Sequence, residues 1–160
     1  EIMPSLVGSE MCIRDRDSSM SASMAWSGIG QYNDLVCPYA MMRLAGAYAN
    51  GGTVVEPSLL GQSSKTTQLV SADTAQKIAS MMNYNVVYHY GQNRFPGLNI
   101  SAKTGTAEVG DGKAAHGWFV GFLNDEKHPY AFVCLVENGG SGLGAAGSVI
   151  NTVLQAAVAK

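Results

Sequence analysis

One stretch constrains this chain more than any other: Ile100-Ser101-Ala102-Lys103-Thr104-Gly105-Thr106-Ala107-Glu108-Val109. Its alternation of small, β-branched and polar residues predicts a strand. A buried structural strand would not place Lys, Gly and two Thr side by side. Glycine inside a strand weakens it and marks a point where a ligand or another backbone comes close. Lys103 offers three donors and a positive charge, and the hydroxyls of Thr104 and Thr106 can donate beside it. Such a group suits a carboxylate. Alternation puts Lys103 and Thr104 on opposite faces, so a shared ligand must lie along the strand edge.

The residues after Val109 predict a meander. Gly110-Asp111-Gly112-Lys113 is a hairpin turn. Trp118 to Leu123 is almost continuously apolar, which predicts a strand covered on both faces. Asn124 to Pro129 forms a longer hairpin loop, and Tyr130 to Val136 is the third strand. Gly139 to Gly142 is a flexible connection to a last helix whose stripe is Val149, Ile150, Val153, Leu154, Ala157 and Val158.

Upstream, Pro38 opens a helix at its favoured first position. Met41, Met42, Ala45, Tyr48 and Ala49 form its apolar stripe, and Asn50-Gly51-Gly52 ends it. Thr53 to Glu56 is short and extended, with Pro57 confining it to an edge. Gly61 to Thr67 reads as a polar loop. Ser71 caps a second helix with Asp73 in its first turn, and Ile78, Met81 and Met82 supply the buried face. That helix has no clear end. His89, between two tyrosines, is expected to be a satisfied or solvent-facing histidine rather than a catalytic one. Residues 1–16 show no sustained period of either kind and resemble a translated adapter sequence, so they are expected to be a non-native leader. The fold class is α+β, an antiparallel sheet flanked by helices.

A chain of 160 residues suffices for one domain with a core. Its formal net charge of −2, with Lys and Arg scattered, leaves no nucleic-acid footprint and no basic membrane-binding face. No apolar run approaches the roughly 20 residues that span a bilayer. Three cysteines, far apart, make neither a disulfide framework nor a zinc site. Cys134 is expected to be a buried thiol.

A lone Lys-Thr-Gly recurs by chance and would suit an ordinary polar edge strand. Its surroundings add specificity. Lys-Thr-Gly is the third element of the active-site serine, penicillin-recognising enzymes, after Ser-x-x-Lys and a Ser-Asp-Asn type triplet. His116-Gly117-Trp118-Phe119-Val120-Gly121-Phe122 is similar to the apolar strand that comes after it there. Gly28-Ile29-Gly30-Gln31 and Ala47-Tyr48-Ala49-Asn50-Gly51-Gly52 resemble two further stretches. From about Ala25 to Lys160 the chain resembles the C-terminal part of a penicillin-binding protein transpeptidase domain.

The resemblance implies a partial transpeptidase/serine β-lactamase-like fold, holding the three C-terminal strands of a five-stranded sheet. It implies acyl transfer from peptidoglycan stem peptides ending in D-Ala-D-Ala, and β-lactams as mimics of that donor. Lys103 would supply positive potential, and Thr104 and Thr106 hydroxyls would hold the terminal carboxylate. The Thr106 N–H would be an oxyanion-hole donor. Gly105 would keep the edge open. No metal or organic cofactor is implied. The implied location is the extracytoplasmic face of the bacterial cytoplasmic membrane, with cell-division or elongation proteins as partners of a full-length parent.

Two catalytic elements of that family are absent. No serine here has Lys three residues on, and none has Asn two residues on. Without an activated serine, nucleophilic catalysis has no starting point. Cys37-Pro38 also departs from a Thr-Pro frequent in relatives. A penicillin-sensing module or a serine β-lactamase of the same fold would share Lys-Thr-Gly, although Ala47 to Gly52 leans against the lactamase. A structural α+β domain with an accidental triplet is the remaining alternative.

Overall fold

The computed structural model describes residues 12–14, 25–26, 28–31, 34–56, 58 and 65–159. Most of the 1–16 stretch, 18–23, Pro57 and 61–64 lie outside the described residues. Within the first of these, β1 (Cys12–Arg14) is a strand, antiparallel to β2 (Asp34–Val36).

Helix α1 (Pro38–Ala49) begins where Pro38 predicts, with extended backbone at Cys37. It ends at Asn50, and Gly51 and Gly52 take positive φ. The Gly52 N–H closes the turn on the Ala47 carbonyl at 2.8 Å. A side chain at Gly52 would collide with the Val70 carbonyl as well as being strained.

Strand β3 (Thr53–Val55) pairs with β4 (Thr66–Gln68), which corrects the expectation of a loop through Thr67. The correction has a physical cause: β4 is exposed throughout and exists through pairing. Thr53 Oγ1 donates to Gln68 Oε1 at 2.7 Å, and Gln68 Nε2 donates to the Gly51 carbonyl at 3.0 Å.

Helix α2 (Ala72–Tyr84) is capped by Ser71, whose Oγ accepts from the Thr74 N–H at 3.2 Å. Its blurred end is a change of winding. Asn85–Gly91 continues as a π-helical turn, and Gln92–Arg94 as a 3₁₀ turn. A second π-helical turn, Gly142–Gly147, leads into α3 (Ser148–Val158).

The sheet consists of β5 (Ile100–Ala107), β6 (His116–Leu123) and β7 (Ala131–Val136), antiparallel in that order. Asp111 and its flanking glycines turn β5 into β6 with positive φ. On one face Ile100, Ala102, Phe119, Leu123 and Phe132 meet Phe95, Ile150 and Leu154. Phe119 is fully buried between Phe95 (5.5 Å) and Phe132 (5.9 Å), both rings near-parallel to it. On the other face Phe122, Val120 and Ala131 pack on Ala45, Ile78 and Met82. Ser101, buried there, donates to the Ala79 carbonyl at 3.0 Å and accepts from Asn124 Nδ2 at 3.0 Å, so it is a satisfied polar group.

Two expectations narrow. Phe122 and Leu123 are buried, but Trp118 and Val120 are only half-buried, so β6 is covered on both faces at one end only. On α3, Ile150 and Leu154 are buried while Val149 and Val153 are exposed. Cys134 is half-buried, and burial pushes its thiol above the usual range.

Among the described residues no helix is long and apolar enough to cross a membrane. The Leu123 N–H bonds the Tyr130 carbonyl at 2.9 Å. By antiparallel alternation Phe132, Cys134 and Val136 then bond β6, whereas the backbone groups of Ala131, Val133 and Leu135 point outward. Those groups have no partner among the described residues. An apolar edge of this kind templates pairing with another chain. The isolated polypeptide is expected to self-associate, with fast amide exchange at Ala131, Val133 and Leu135 and slow exchange at Phe132 and Cys134. Size-exclusion chromatography and residue-resolved hydrogen exchange check this. A monodisperse monomer protected evenly along β7 would refute it.

Candidate active site on the β5 edge

The site is set by which way each backbone group of β5 points. The Ile100 carbonyl accepts from Asn83 Nδ2 at 2.9 Å, and the Thr104 N–H donates to the Tyr90 hydroxyl at 3.1 Å. The Thr106 carbonyl accepts from Gln31 Nε2 at 2.8 Å. Even-numbered residues thus face away from β6, while Lys103 and Gly105 bond toward Val120 and Trp118.

The Lys103 side chain springs from the sheet face it shares with Val120, yet its Nζ curls back to the edge. There it donates to the Thr104 carbonyl at 2.7 Å. Lys103 and Thr106 are exposed, Thr104 and Gly105 half-buried. Of the four outward backbone groups of Thr104 and Thr106, three are therefore engaged. The Thr106 N–H is the fourth and has no partner among the described residues. The edge as a whole is blocked to strand pairing but leaves one donor open beside an ammonium.

The close packing behind this edge depends on missing side chains. A Cβ on Gly105 would lie 3.1 Å from the Trp118 Cβ. On the opposite face the Ser141–Gly142 backbone rests on Gly117. A Cβ on Gly142 would press into the Gly105 and Trp118 carbonyl oxygens. The second π-helical turn is thereby seated against the strand that carries the site.

All four residues predicted for the site, Lys103, Thr104, Gly105 and Thr106, lie on this edge. The structure adds two that sequence reasoning did not assign. Gln31 is 75 residues from its acceptor, and only the resemblance of its Gly-Ile-Gly-Gln stretch drew notice to it. Tyr90 engages both the N–H of Thr104 and, at 3.3 Å, its Oγ1. The signal for Tyr90 was the loss of helical period after Tyr84. His89 is exposed, with its ring edge-on to Tyr84, and plays no part in the site. Chemically, the edge can hold a carboxylate and donate one backbone hydrogen bond to developing negative charge.

The α+β chain thus carries its Lys-Thr-Gly-Thr strand at one edge of an antiparallel sheet, with one outward backbone donor open. The chain belongs to the penicillin-binding protein transpeptidase domain family, whose model matches residues 9–155. The peptidoglycan D,D-transpeptidase PbpA of Mycobacterium tuberculosis is 30% identical over 154 residues, covering 86% of this chain and 31% of that protein. The PbpA of Mycolicibacterium smegmatis is 28% identical over 146 residues, covering 81% and 30%. The crystal structure of PBPA from M. tuberculosis superimposes with a TM-score of 0.72 at 27% identity, over 87% of this chain and 38% of that one. The imipenem acyl-enzyme complex of M. tuberculosis penicillin-binding protein A does so with a TM-score of 0.72 at 28% identity, over 87% and 34%. The chain thus spans about a third of the length of these relatives.

Proposed function

We propose that this chain supplies the wall of a peptidoglycan D,D-transpeptidase site that binds the donor carboxylate. One observation carries the reading: the Lys103 ammonium and the open N–H of the exposed Thr106 share one strand edge. In the transpeptidase a serine attacks the D-alanyl-D-alanine carbonyl, D-alanine leaves, and the amine of a second stem peptide takes the acyl group. Lys103 and the Thr104 and Thr106 hydroxyls hold the terminal carboxylate. The Thr106 N–H donates to the oxyanion that forms on the attacked carbonyl, a contact made in the transition state. Gly105 lets the substrate approach the strand.

In this reading the nucleophile is not among residues 1–160 and would be supplied by the rest of a full-length parent. The absence of Ser-x-x-Lys and Ser-x-Asn within residues 1–160 supports this division. β-Lactams are the covalent mimics, in keeping with the imipenem acyl-enzyme of the M. tuberculosis relative. A cell-elongation or division partner for the full-length parent accords with the Helicobacter pylori PBP2–MreC complex, 25% identical with a TM-score of 0.63 over 83% of this chain and 27% of that one. The substrate places the reaction at the extracytoplasmic face of the cytoplasmic membrane.

The test is labelling with a fluorescent penicillin. The polypeptide of 160 residues is expected to remain unlabelled, and the full-length parent to form a stable acyl-enzyme. Covalent label on any serine of the short polypeptide, mapped by mass spectrometry, would defeat the division between nucleophile and carboxylate wall. A parent that takes no label would defeat the functional reading. Rapid release of hydrolysed penicillin would point to a lactamase instead.

A further inference from the structure

Tyr90 sits where the Lys-Thr-Gly edge would otherwise run on unprotected. Its hydroxyl accepts from the Thr104 N–H at 3.1 Å and lies 3.3 Å from Thr104 Oγ1. Its ring packs on the main core and lies 6.1 Å from that of Phe119, the residue paired with Thr104 across the sheet. The backbone that presents it is the π-helical turn Asn85–Gly91. Such turns are rare inside helices and concentrate at functional sites. Thr104 has one hydroxyl hydrogen to place, and Tyr90 constrains where it goes.

We propose that Tyr90 is a positioning residue that orients the Thr104 hydroxyl as a donor to the substrate carboxylate. A phenol oxygen that accepts the Thr104 N–H keeps its own proton free to donate. With the Thr104 N–H already received, the Tyr90 hydroxyl is assigned here as the donor to Thr104 Oγ1, 3.3 Å away. With its lone pair so engaged, the Thr104 hydroxyl directs its own proton outward along the edge, toward the space beside Lys103. The chain Thr104 N–H to Tyr90 OH to Thr104 OH to carboxylate is polarised in one direction, so each bond strengthens the next. Tyr90 itself touches no substrate. It acts by fixing one rotor that would otherwise be free.

This inference rests on the transpeptidase reading and concerns recognition of the acid group, so its test varies that group. In the full-length parent, acylation rate constants would be measured with benzylpenicillin and with its carboxyl methyl ester, for the native enzyme and for Tyr90→Phe. The phenyl ring preserves the core contacts. Loss of one oriented hydrogen bond is expected to slow acylation by the acid about tenfold and to leave the ester within about twofold. The ratio of the two constants is the readout, because a loosened fold would slow both equally. Introducing Tyr90→Phe into a Thr104→Val background should leave the ratio unchanged, since the hydroxyl it orients is already gone. An active native enzyme whose acid-to-ester ratio is the same in Tyr90→Phe would overturn the assignment alone. So would a Thr104→Val enzyme in which Tyr90→Phe still shifts the ratio. A native enzyme that neither compound acylates would overturn the transpeptidase reading, and the role of Tyr90 with it.

Discussion

Lys103→Ala in the full-length transpeptidase is expected to lower the acylation rate constant by roughly 30- to 1,000-fold, equivalent to about 2–4 kcal/mol, by analogy with deletion of an oxyanion-hole donor. Geometry is the reason. The ammonium is anchored at the edge by one hydrogen bond to the Thr104 carbonyl, and the side chain is exposed. Truncation therefore removes a preorganised charge and little packing. A residue that served the fold would show the reverse, a lower melting temperature with a normal rate. Lys103→Arg should recover only part of the loss, because a planar guanidinium fork cannot reproduce a compact ammonium turned back on its own strand. Rapid-mixing measurement of penicillin acylation, with a thermal melt as control, decides the point. An unchanged rate constant would remove Lys103 from the mechanism.

The largest effect on stability is expected from Phe119→Ala. The ring is completely buried and lies between two stacked aromatics. Its removal should cost about 3–5 kcal/mol, the sum of lost transfer energy and the cavity left behind. For a domain stabilised by about 5–15 kcal/mol this is a large fraction. At roughly 2–4 °C per kcal/mol the melting temperature should fall by about 6–20 °C. Denaturant unfolding checks it through a lower midpoint at constant slope. A loss under about 1 kcal/mol would mean that Phe95 and Phe132 can close the gap. Phe119 is also the register partner of Thr104, so partial collapse should disturb the site before the domain unfolds.

Local chemistry made much of this fold readable. Pro38 starts α1 through its fixed φ, Ser71 starts α2 through its hydroxyl, and Asp111 with its neighbouring glycines turns β5 into β6. Each signal acts within a few residues. The Lys-Thr-Gly edge was legible for a related reason, since its composition contradicts a buried strand. The features that escaped sequence reasoning depend on partners far along the chain. Strand β4 has no inward face and forms only because β3 is beside it. Gln31 reaches Thr106 across a separation that no periodicity can reveal. The exposure of Val149 and Val153 on α3, and of part of Trp118 on β6, depends on which surfaces lie opposite. A count of apolar residues along one element cannot supply that.

The π-helical turn Asn85–Gly91 has a consequence for the lengths of chain that the family can tolerate. A helix wound with i→i+5 bonds accommodates more residues per turn than one wound i→i+4. Loss of a single residue between Tyr84 and Tyr88 would allow α2 to continue as regular α-helix. Each residue of an α-helix advances the direction by about 100°, so Tyr90 would swing away from Thr104 even though no site residue had changed. The hairpin loop between β6 and β7 works under no such restriction, because its length sets nothing at the β5 edge. Insertions and deletions in descendants of this sequence should therefore accumulate between Asp125 and Pro129, beyond the Asn124 that bonds Ser101, while the count of residues from α2 to Tyr90 stays the same.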